Sequence, residues 1–454
     1  MTTTIDVTDR PLPFSAARAA RRGDEVTVLL NARVVDPGTG TSSSPSDVWL
    51  QAGQISRVTP AGRVPRAGNV LDLRGNFVAP GMMDAHVHLA FDGGDDPKAT
   101  HQASSDEEII AQVVANARIA LRAGITTVRD CGTPRRLLAP MRAALGMASD
   151  VATVVHCGAP LCRVGGHAHD MGGEVRTRHD VHTLIAEQHA AGATWIKLMA
   201  SGGGFTPGTS PSVFEFDPVL LREAVVIAGS YGMKTAAHAH ASSSMAACID
   251  AGVHTLEHAS MLGPDERCSP DPGLLRRAAD AGIHIVPTVI AADIVSRQLQ
   301  EGRQVLANPL DRNVVARLES RFTNVTEFLH SGVSIVAGTD AGPAHVTFDL
   351  LARELERYVA AGLTAQHALK SATTEAASML GLESQVGRVR PGLWADLIFT
   401  SADPPAGHHH PPNAPWSAQA RTVDRALGSG VTPQLWRPVS AGIRHTPLSH
   451  RHPQ

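Results

Sequence analysis

A chain of 454 residues that is 43% hydrophobic and 18% charged, with a formal net charge of −3, has ordinary globular composition, and that balance recommends neither nucleic acid nor an anionic membrane as a partner. No apolar run approaches the roughly 20 residues of a spanning helix, and the five cysteines (Cys131, Cys157, Cys162, Cys248, Cys268) include no Cys-x-x-Cys pair, which fits scattered thiols in a reducing, cytoplasmic setting and not a disulfide framework. Aromatics are scarce at 4%, whereas the 23 histidines are the one oddity of composition and direct attention to site chemistry.

Residues 1–25 lack the apolar core of a signal peptide and are expected to form a flexible leader. From Val26, the stretches VTVLLNARVVDPGTG, DVWLQAGQISRVTP and NVLDLRGNFVAPG are short apolar runs between Gly, Pro and Asp turns. They predict a small β-rich unit over residues 26–76. A different rhythm begins at Phe77, where β-type runs alternate with helical stretches such as DEEIIAQVVANARIALRAG, with Ser105 or Asp106 as N-cap and Gly124 as its stop. The runs are FVAPGMMDA (77–85), ITTVRD (125–130), ATVVHCG (152–158), TWIKLMA (194–200), KTAAHAH (234–240), VHTLEHA (253–259), HIVPTVI (284–290) and VSIVAGTD (333–340). Several are preceded by a helix-ending glycine, as in AAGAT, DAGVH, DAGIH and HSGVS. Eight such runs with helices between predict an α/β fold, a (β/α)8 TIM-like barrel over 77–384. GRVRPGLWADLIFTSADP (387–404) reads as further β structure that rejoins the N-terminal unit. A small β-sandwich domain would then be built from both chain ends, residues 26–76 and 385–404. Residues 405–454 are a Pro/His-rich segment whose His408-His409-His410 run is expected to be solvated.

Functional residues of such a barrel sit at the C-terminal ends of its strands. In GMMDAHVHLA, His86 and His88 are two residues apart, so on a strand they share one face about 7 Å apart along the chain. The fourth run carries Lys197, the fifth His238 and His240, the sixth Glu257-His258, and the eighth Thr339-Asp340. Singly, each has a bland reading: a hydrogen-bonded histidine, a surface lysine, a helix N-cap. Together on successive strand ends they point to a metal site. Neutral imidazoles and carboxylates suit Zn²⁺ and similar ions with an open position for water. The pKa of that water falls from 15.7 to about 7, which makes hydroxide available, and a neighbouring aspartate can take its proton. The lysine is the odd member, since an ammonium would be repelled by two cations; a neutral amine, by contrast, can add carbon dioxide to give an anionic carbamate.

The motifs DAHVHLA, WIKLMASGGG, AAHAH, TLEHAS and GTDAG, in that order, resemble those of the metal-dependent amidohydrolase superfamily. The likeness is to the branch of Xaa-Pro dipeptidase-type carboxypeptidases and ochratoxin-degrading amidohydrolases, with imidazolonepropionase more distant, and covers about residues 26–404. The resemblance implies two divalent ions, Zn²⁺ by preference. His86, His88 and Asp340 would hold the more buried one, His238 and His258 the second, and a carboxylated Lys197 would bridge them. It also implies that Asp340 is the general acid/base and that His240 touches substrate. GRVRPGLWADL matches the family's closing Gly-x-x-x-x-Gly-x-x-Ala-Asp-Leu stretch, and the chain departs from the family pattern after Pro404.

His167, in GGHAHD after the third run, matches a Gly-Gly-His stretch of the peptidase-like branch and is expected to polarise a scissile carbonyl. His169 is read as local hydrogen bonding. His345 and Arg163 are candidate substrate contacts, the latter for a substrate carboxylate. Arg129-Asp130 fits a structural salt bridge or a site role. SGGGF lacks the Gly-Lys-Ser/Thr of a phosphate loop and is read as a cleft loop, and Tyr231 lies at the wrong end of the barrel. The expectation is a cytoplasmic, homo-oligomeric binuclear hydrolase, acting on an amide bond of a dipeptide, an N-acyl amino acid or an ochratoxin-type amide by metal-activated hydroxide. Its rivals are a mononuclear aminohydrolase, a lactam- or imidazolone-cleaving enzyme and an inactive scaffold.

Overall fold

The computed structural model describes residues 26–62, 68–302, 314–343, 345–401 and 403, and the backbone of 4–5 and 15–18. The expected leader beyond that backbone, the Pro/His-rich segment and its histidine triplet lie outside the described residues.

Strands Thr27–Asp36, Ser46–Gln51 and Gln54–Pro60 pair antiparallel in succession. The last two are joined by Ala52-Gly53, both at positive φ (50° and 78°), as a two-residue hairpin requires. Phe77–Pro80 lies parallel to Thr27–Asp36 and antiparallel to Asp396–Thr400. One nine-stranded sheet thus draws strands from both ends of the chain. Leu29, Val48, Ile55, Val78, Leu397 and Phe399 form its core.

The run 77–85 is not one strand. It divides at Gly81: Phe77–Pro80 stays in the nine-stranded sheet and Met82–Val87 opens the parallel set. The division turns on one residue. Gly81 N–H bonds Asp396 O at 2.8 Å and the next amide, Met82, bonds Gly124 O at 3.0 Å, so the chain changes partners across one residue. A Cβ at position 81 would overlap the Thr126 side chain, so only glycine allows this approach.

The parallel strands are β1 (Met82–Val87), β2 (Ile125–Asp130), β3 (Thr153–His156), β4 (Trp195–Met199), β5 (Lys234–Ala241), β6 (Thr255–Leu262), β7 (His284–Val286) and β8 (Ser334–Ile335). They form one sheet in the order β3-β2-β1 and another in the order β4-β5-β6-β7-β8. Single parallel bridges, Leu161 to Leu198 and Val87 to Ala341, link the flanks of the two sheets. β1, β2 and β4 are buried at every position, the mark of parallel strands covered on both faces. The covering includes helix Asp106–Arg122, which places Ile109, Val113, Ala117 and Ala120 inward. Ser105, with Glu108, closes a capping box at its start. The fold is mixed α/β.

Two runs are shorter as strands than their composition predicts. The seventh ends at Val286 because Pro287 has no N–H for the ladder. Thr288 then turns into the left-handed region (φ 53°) and helix Val289–Gln300 begins. In the eighth, only Ser334–Ile335 join a ladder; beyond them, Ala337 O accepts from Ala85 N and Asp340 N donates to His86 O. Those bonds place residues 337–340 beside β1, which sets up the site.

Candidate metal centre

β1 ends with His86, fully buried, and His88 follows it. Asp340 reaches them from the end of the eighth run, with φ 60° that aspartate tolerates better than most residues. Asp84 locks this junction: its Oδ1 accepts from His86 N and Thr339 N at 3.1 and 3.0 Å, and its Oδ2 from Thr339 Oγ1 at 2.6 Å. Burial pushes the Asp84 carboxyl up to about 7 against the downward pull of those hydrogen bonds.

Three ligand atoms converge. His86 Nε2 is 3.3 Å from His88 Nε2, and Asp340 Oδ1 is 3.2 Å from His88 Nε2 and 3.5 Å from His86 Nε2. A point equidistant from such a triangle lies about 2 Å from each atom, the length of Zn–N and Zn–O bonds. The residues therefore fit a divalent cation. His86 is also oriented for it: Nδ1 meets Glu257 Oε2 at 2.6 Å, which places the proton on Nδ1 and leaves the Nε2 lone pair toward the triangle. Burial alone would raise the Glu257 carboxyl, but Arg129 and His86 hold it well below the usual carboxylate range. Arg129 donates Nη2–H to Glu257 Oε1 at 2.8 Å and Nε–H to Ala85 O at 2.7 Å. The Arg129-Asp130 question resolves accordingly. Arg129 is a buried ion-pair partner acting on His86 through Glu257. Asp130 accepts from Leu89 N at 2.9 Å and from the Thr133 hydroxyl, which fixes the loop after β1.

A second group forms where β5 and β6 end. Ring nitrogens of His238, His240 and His258 lie within 4.8 Å of one another. Each ring has one nitrogen engaged: His238 Nε2 with Gly202 O at 3.1 Å, His240 Nδ1 with Ser260 Oγ at 2.8 Å, and His258 Nδ1 with Thr288 Oγ1 at 2.7 Å. The other nitrogen of each remains available. Burial first, then neighbouring positive charge, holds all three well below the ordinary histidine range. They are neutral imidazoles, the ligand form. Lys197, 1% exposed on β4, places Nζ 3.5 Å from His86 Nε2.

The structure thus brings His86, His88 and Asp340 together, and His238 with His258, with Lys197 against the first group. His240 stands in the second group, its ring stacked on His258 at 4.7 Å and 13°. His167 is 8% exposed with its ring 4.8 Å from His238. Its Nδ1 meets Thr206 Oγ1 at 3.0 Å, and burial pushes it down to about 3, so it too is neutral. The SGGGF loop covers it, since a Cβ on Gly203 would overlap the His167 ring. Arg163 turns to Glu215 Oε1 at 3.1 Å, and His345 pairs with Asp95 Oδ1 at 3.0 Å. Both are held in surrounding loops, and His169 bonds Gly166 O locally. Tyr231 rests on His189, ring centroids 4.9 Å apart.

Supporting residues that the sequence did not announce are Thr288, Ser260, Asp84, and Arg321 and Asn324 on helix Val314–Ser331. Thr288→Val keeps the shape but removes the hydroxyl that fixes His258. It is expected to weaken divalent-metal binding at the His238–His258 group by about 10–100-fold, measured by competition with a chromophoric chelator. Unchanged metal affinity contradicts this assignment of Thr288.

A sequence model of the amidohydrolase family matches residues 77–431. An uncharacterized protein of Mycobacterium tuberculosis is 26% identical over 371 residues, 79% of this chain and 87% of its own length. Ochratoxinase of Aspergillus niger is 28% identical over 364 residues, 72% of this chain and 70% of that one. Among solved structures, a Xaa-Pro dipeptidase with bound methionine superposes with a TM-score of 0.76 at 24% identity, covering 84% of this chain and 95% of that one. That last likeness is one of fold.

Proposed function

The chain belongs to the amidohydrolase family of metal-dependent hydrolases, and on that premise we propose a binuclear enzyme that cleaves the amide bond of a dipeptide or an N-acyl amino acid, ochratoxin-type amides included. In this reading β1 to β8 are the strands of a (β/α)8 barrel within residues 77–384, and residues 26–76 and 385–404 form a β-sandwich domain that supplies most of the nine-stranded sheet, with Phe77–Pro80 at the junction. The observation that carries it is the meeting of the His86–His88–Asp340 triangle and the neutral His238–His258 group beside one buried lysine.

Two divalent ions, Zn²⁺ by preference, would make hydroxide available near neutral pH and polarise the scissile carbonyl. His86, His88 and Asp340 would hold one, His238 and His258 the other, and Lys197 as its carbamate would bridge them. The rest falls to the chain's own residues. Burial opposes ionisation of Asp340, but the hydrogen bond with His88 and the nearby Arg321 guanidinium hold its carboxyl well below the usual carboxylate range. It is therefore ionised at neutral pH and positioned to take the proton of the attacking water and pass it to the leaving nitrogen. Neutral His167 offers an N–H to the oxygen on which charge develops, while His240, His345 and Arg163 are assigned to substrate. The similarity to an ochratoxinase supports amide hydrolysis. Against deamination, HAHASS has no glutamate near His238 to protonate a ring nitrogen. No helix of the described residues is long and apolar enough to cross a membrane. A cytoplasmic homo-oligomer remains part of the proposal.

Elemental analysis of the purified protein is expected to find two divalent ions per chain. Lys197→Ala should lose at least one, with a fall in kcat/KM beyond the roughly 100-fold typical of losing a supporting residue. The assay is a panel of N-acyl amino acids and Xaa-Pro, Xaa-Arg and Xaa-Lys dipeptides. Absence of bound metal, or a Lys197→Ala variant with full metal and full activity, would sink the mechanism. Activity confined to a ring lactam would transfer the assignment to cyclic amides.

A further inference from the structure

We propose that Arg321 recognises a free carboxylate on the substrate, next to the scissile amide on the His258 side of the site. The proposal rests on the amide-hydrolase reading above and names the residue that reads the carboxylate of such substrates.

Arg321 lies on helix Val314–Ser331 and is only 8% exposed. A buried guanidinium normally faces a carboxylate, because desolvating an unpaired cation is costly. No acid lies within ion-pair distance of Arg321 among the described residues. The acids whose charge reaches it are otherwise engaged. Glu354 accepts from Val289 N and Ile290 N at 2.8 and 2.6 Å, and Asp340 belongs to the ligand triangle.

Its hydrogen bonds leave a particular gap. Nη1 donates to Thr288 Oγ1 at 3.1 Å and Thr288 O at 3.4 Å, and those are the bonds of this guanidinium among the described residues. The Nε–H/Nη2–H edge is left over, and neither nitrogen is among the side-chain atoms sealed from solvent without a partner. That edge is the two-pronged donor that fits a carboxylate. Its position suits the chemistry as well. Thr288 Oγ1, the atom Arg321 holds, is also 2.7 Å from His258 Nδ1, so the guanidinium is one side chain removed from an assigned ligand. In a dipeptide or N-acyl amino acid the free carboxylate is one residue from the scissile carbonyl, at most about 3.6 Å along the chain. Arg317, four residues earlier on the same face and equally buried, adds to the positive field that both arginines exert on His240.

The test pairs N-acetyl-L-phenylalanine with N-acetyl-L-phenylalaninol, which offers the same amide without the carboxylate. Wild type is expected to favour the acid by about 30-fold or more in kcat/KM, in line with a charge-assisted hydrogen-bond pair. Arg321→Gln should erase most of that acid-over-alcohol preference, measured at saturating metal, with the acid losing through KM well beyond whatever the alcohol loses. Arg321→Lys should recover part of it. Equal losses on both substrates would make Arg321 only a support for Thr288 and overturn the proposal, as would an unchanged acid-to-alcohol ratio. If wild type cleaves neither compound nor any other amide, the amide-hydrolase reading fails on its own. Calorimetry then still decides Arg321: tighter binding of the acid than the alcohol in wild type, lost in Arg321→Gln, supports it, and equal binding in wild type overturns it.

Discussion

Asp340→Asn is expected to lower kcat by about 10²–10⁴-fold, the usual worth of a positioned general acid–base, and to leave the fold intact. The structure separates the two effects. Asparagine keeps the volume and an acceptor oxygen, and it tolerates the left-handed backbone that position 340 requires (φ 60°). The Asp340 N–H to His86 O bond at 2.8 Å is made by the backbone, so the junction with β1 survives the substitution. What is lost is the charge 3.2 Å from His88 Nε2 and 3.5 Å from His86 Nε2, and with it the proton acceptor. Metal occupancy at the triangle should fall too, so kcat is measured at saturating metal. A loss that vanishes there would reduce Asp340 to a ligand alone, and a thermal midpoint far below wild type would place the effect in the fold. The expected result is a deep loss of kcat at full occupancy with the midpoint nearly unmoved.

What the sequence disclosed and what it hid divide along the range of the interactions. Period-2 geometry put His86 and His88 on one face, and strand-end position brought in Lys197, His238, His258 and Asp340, because a parallel α/β architecture sends strand ends to one rim. Helix limits followed local chemistry: Ser105 with Glu108 needs only three residues to identify itself. The division at Gly81 was hidden because it depends on Thr126 in another strand. Arg129 looked ambiguous beside Asp130 because its partner, Glu257, is 128 residues away. Arg321 and Asn324 read as ordinary helix positions. Only the packed structure shows Arg321 at Thr288 and Asn324 Nδ2 donating to Ser260 O at 3.2 Å, each supporting a histidine of the second group. Arg163 also pairs with Glu215, 52 residues away, a pairing no local pattern announces.

The Arg129–Glu257 pair carries the largest effect expected on stability. Both side chains are fully buried, and the pair is extended by His86 on one side and by the Trp195 ring, 4.5 Å from the guanidinium carbon, on the other. Arg129→Met leaves Glu257 charged and unpaired in the interior, which is expected to cost about 3–5 kcal/mol. Glu257→Gln is milder in its packing, because the amide oxygen can still accept from Arg129 or His86. In Arg129→Met/Glu257→Gln no buried charge is left alone, so the double variant should recover much of the loss of Arg129→Met. Denaturant unfolding of the three proteins measures this, and a double variant as unstable as the sum of the singles would contradict the pairing. The pH dependence has a definite sign. A carboxyl held below its ordinary 4.5 in the fold contributes stability that is full above that pH and is lost as pH falls through its depressed folded value. The wild-type midpoint should therefore decline on acidification below 4.5 more steeply than that of Glu257→Gln. Chemistry should follow the same pair, since without Glu257 the His86 ring loses the bond that selects its tautomer. Metal affinity at the triangle is then expected to drop by about 10–100-fold even in a double variant whose stability has been restored. An unaltered affinity in that protein would mean that the pair serves the fold alone.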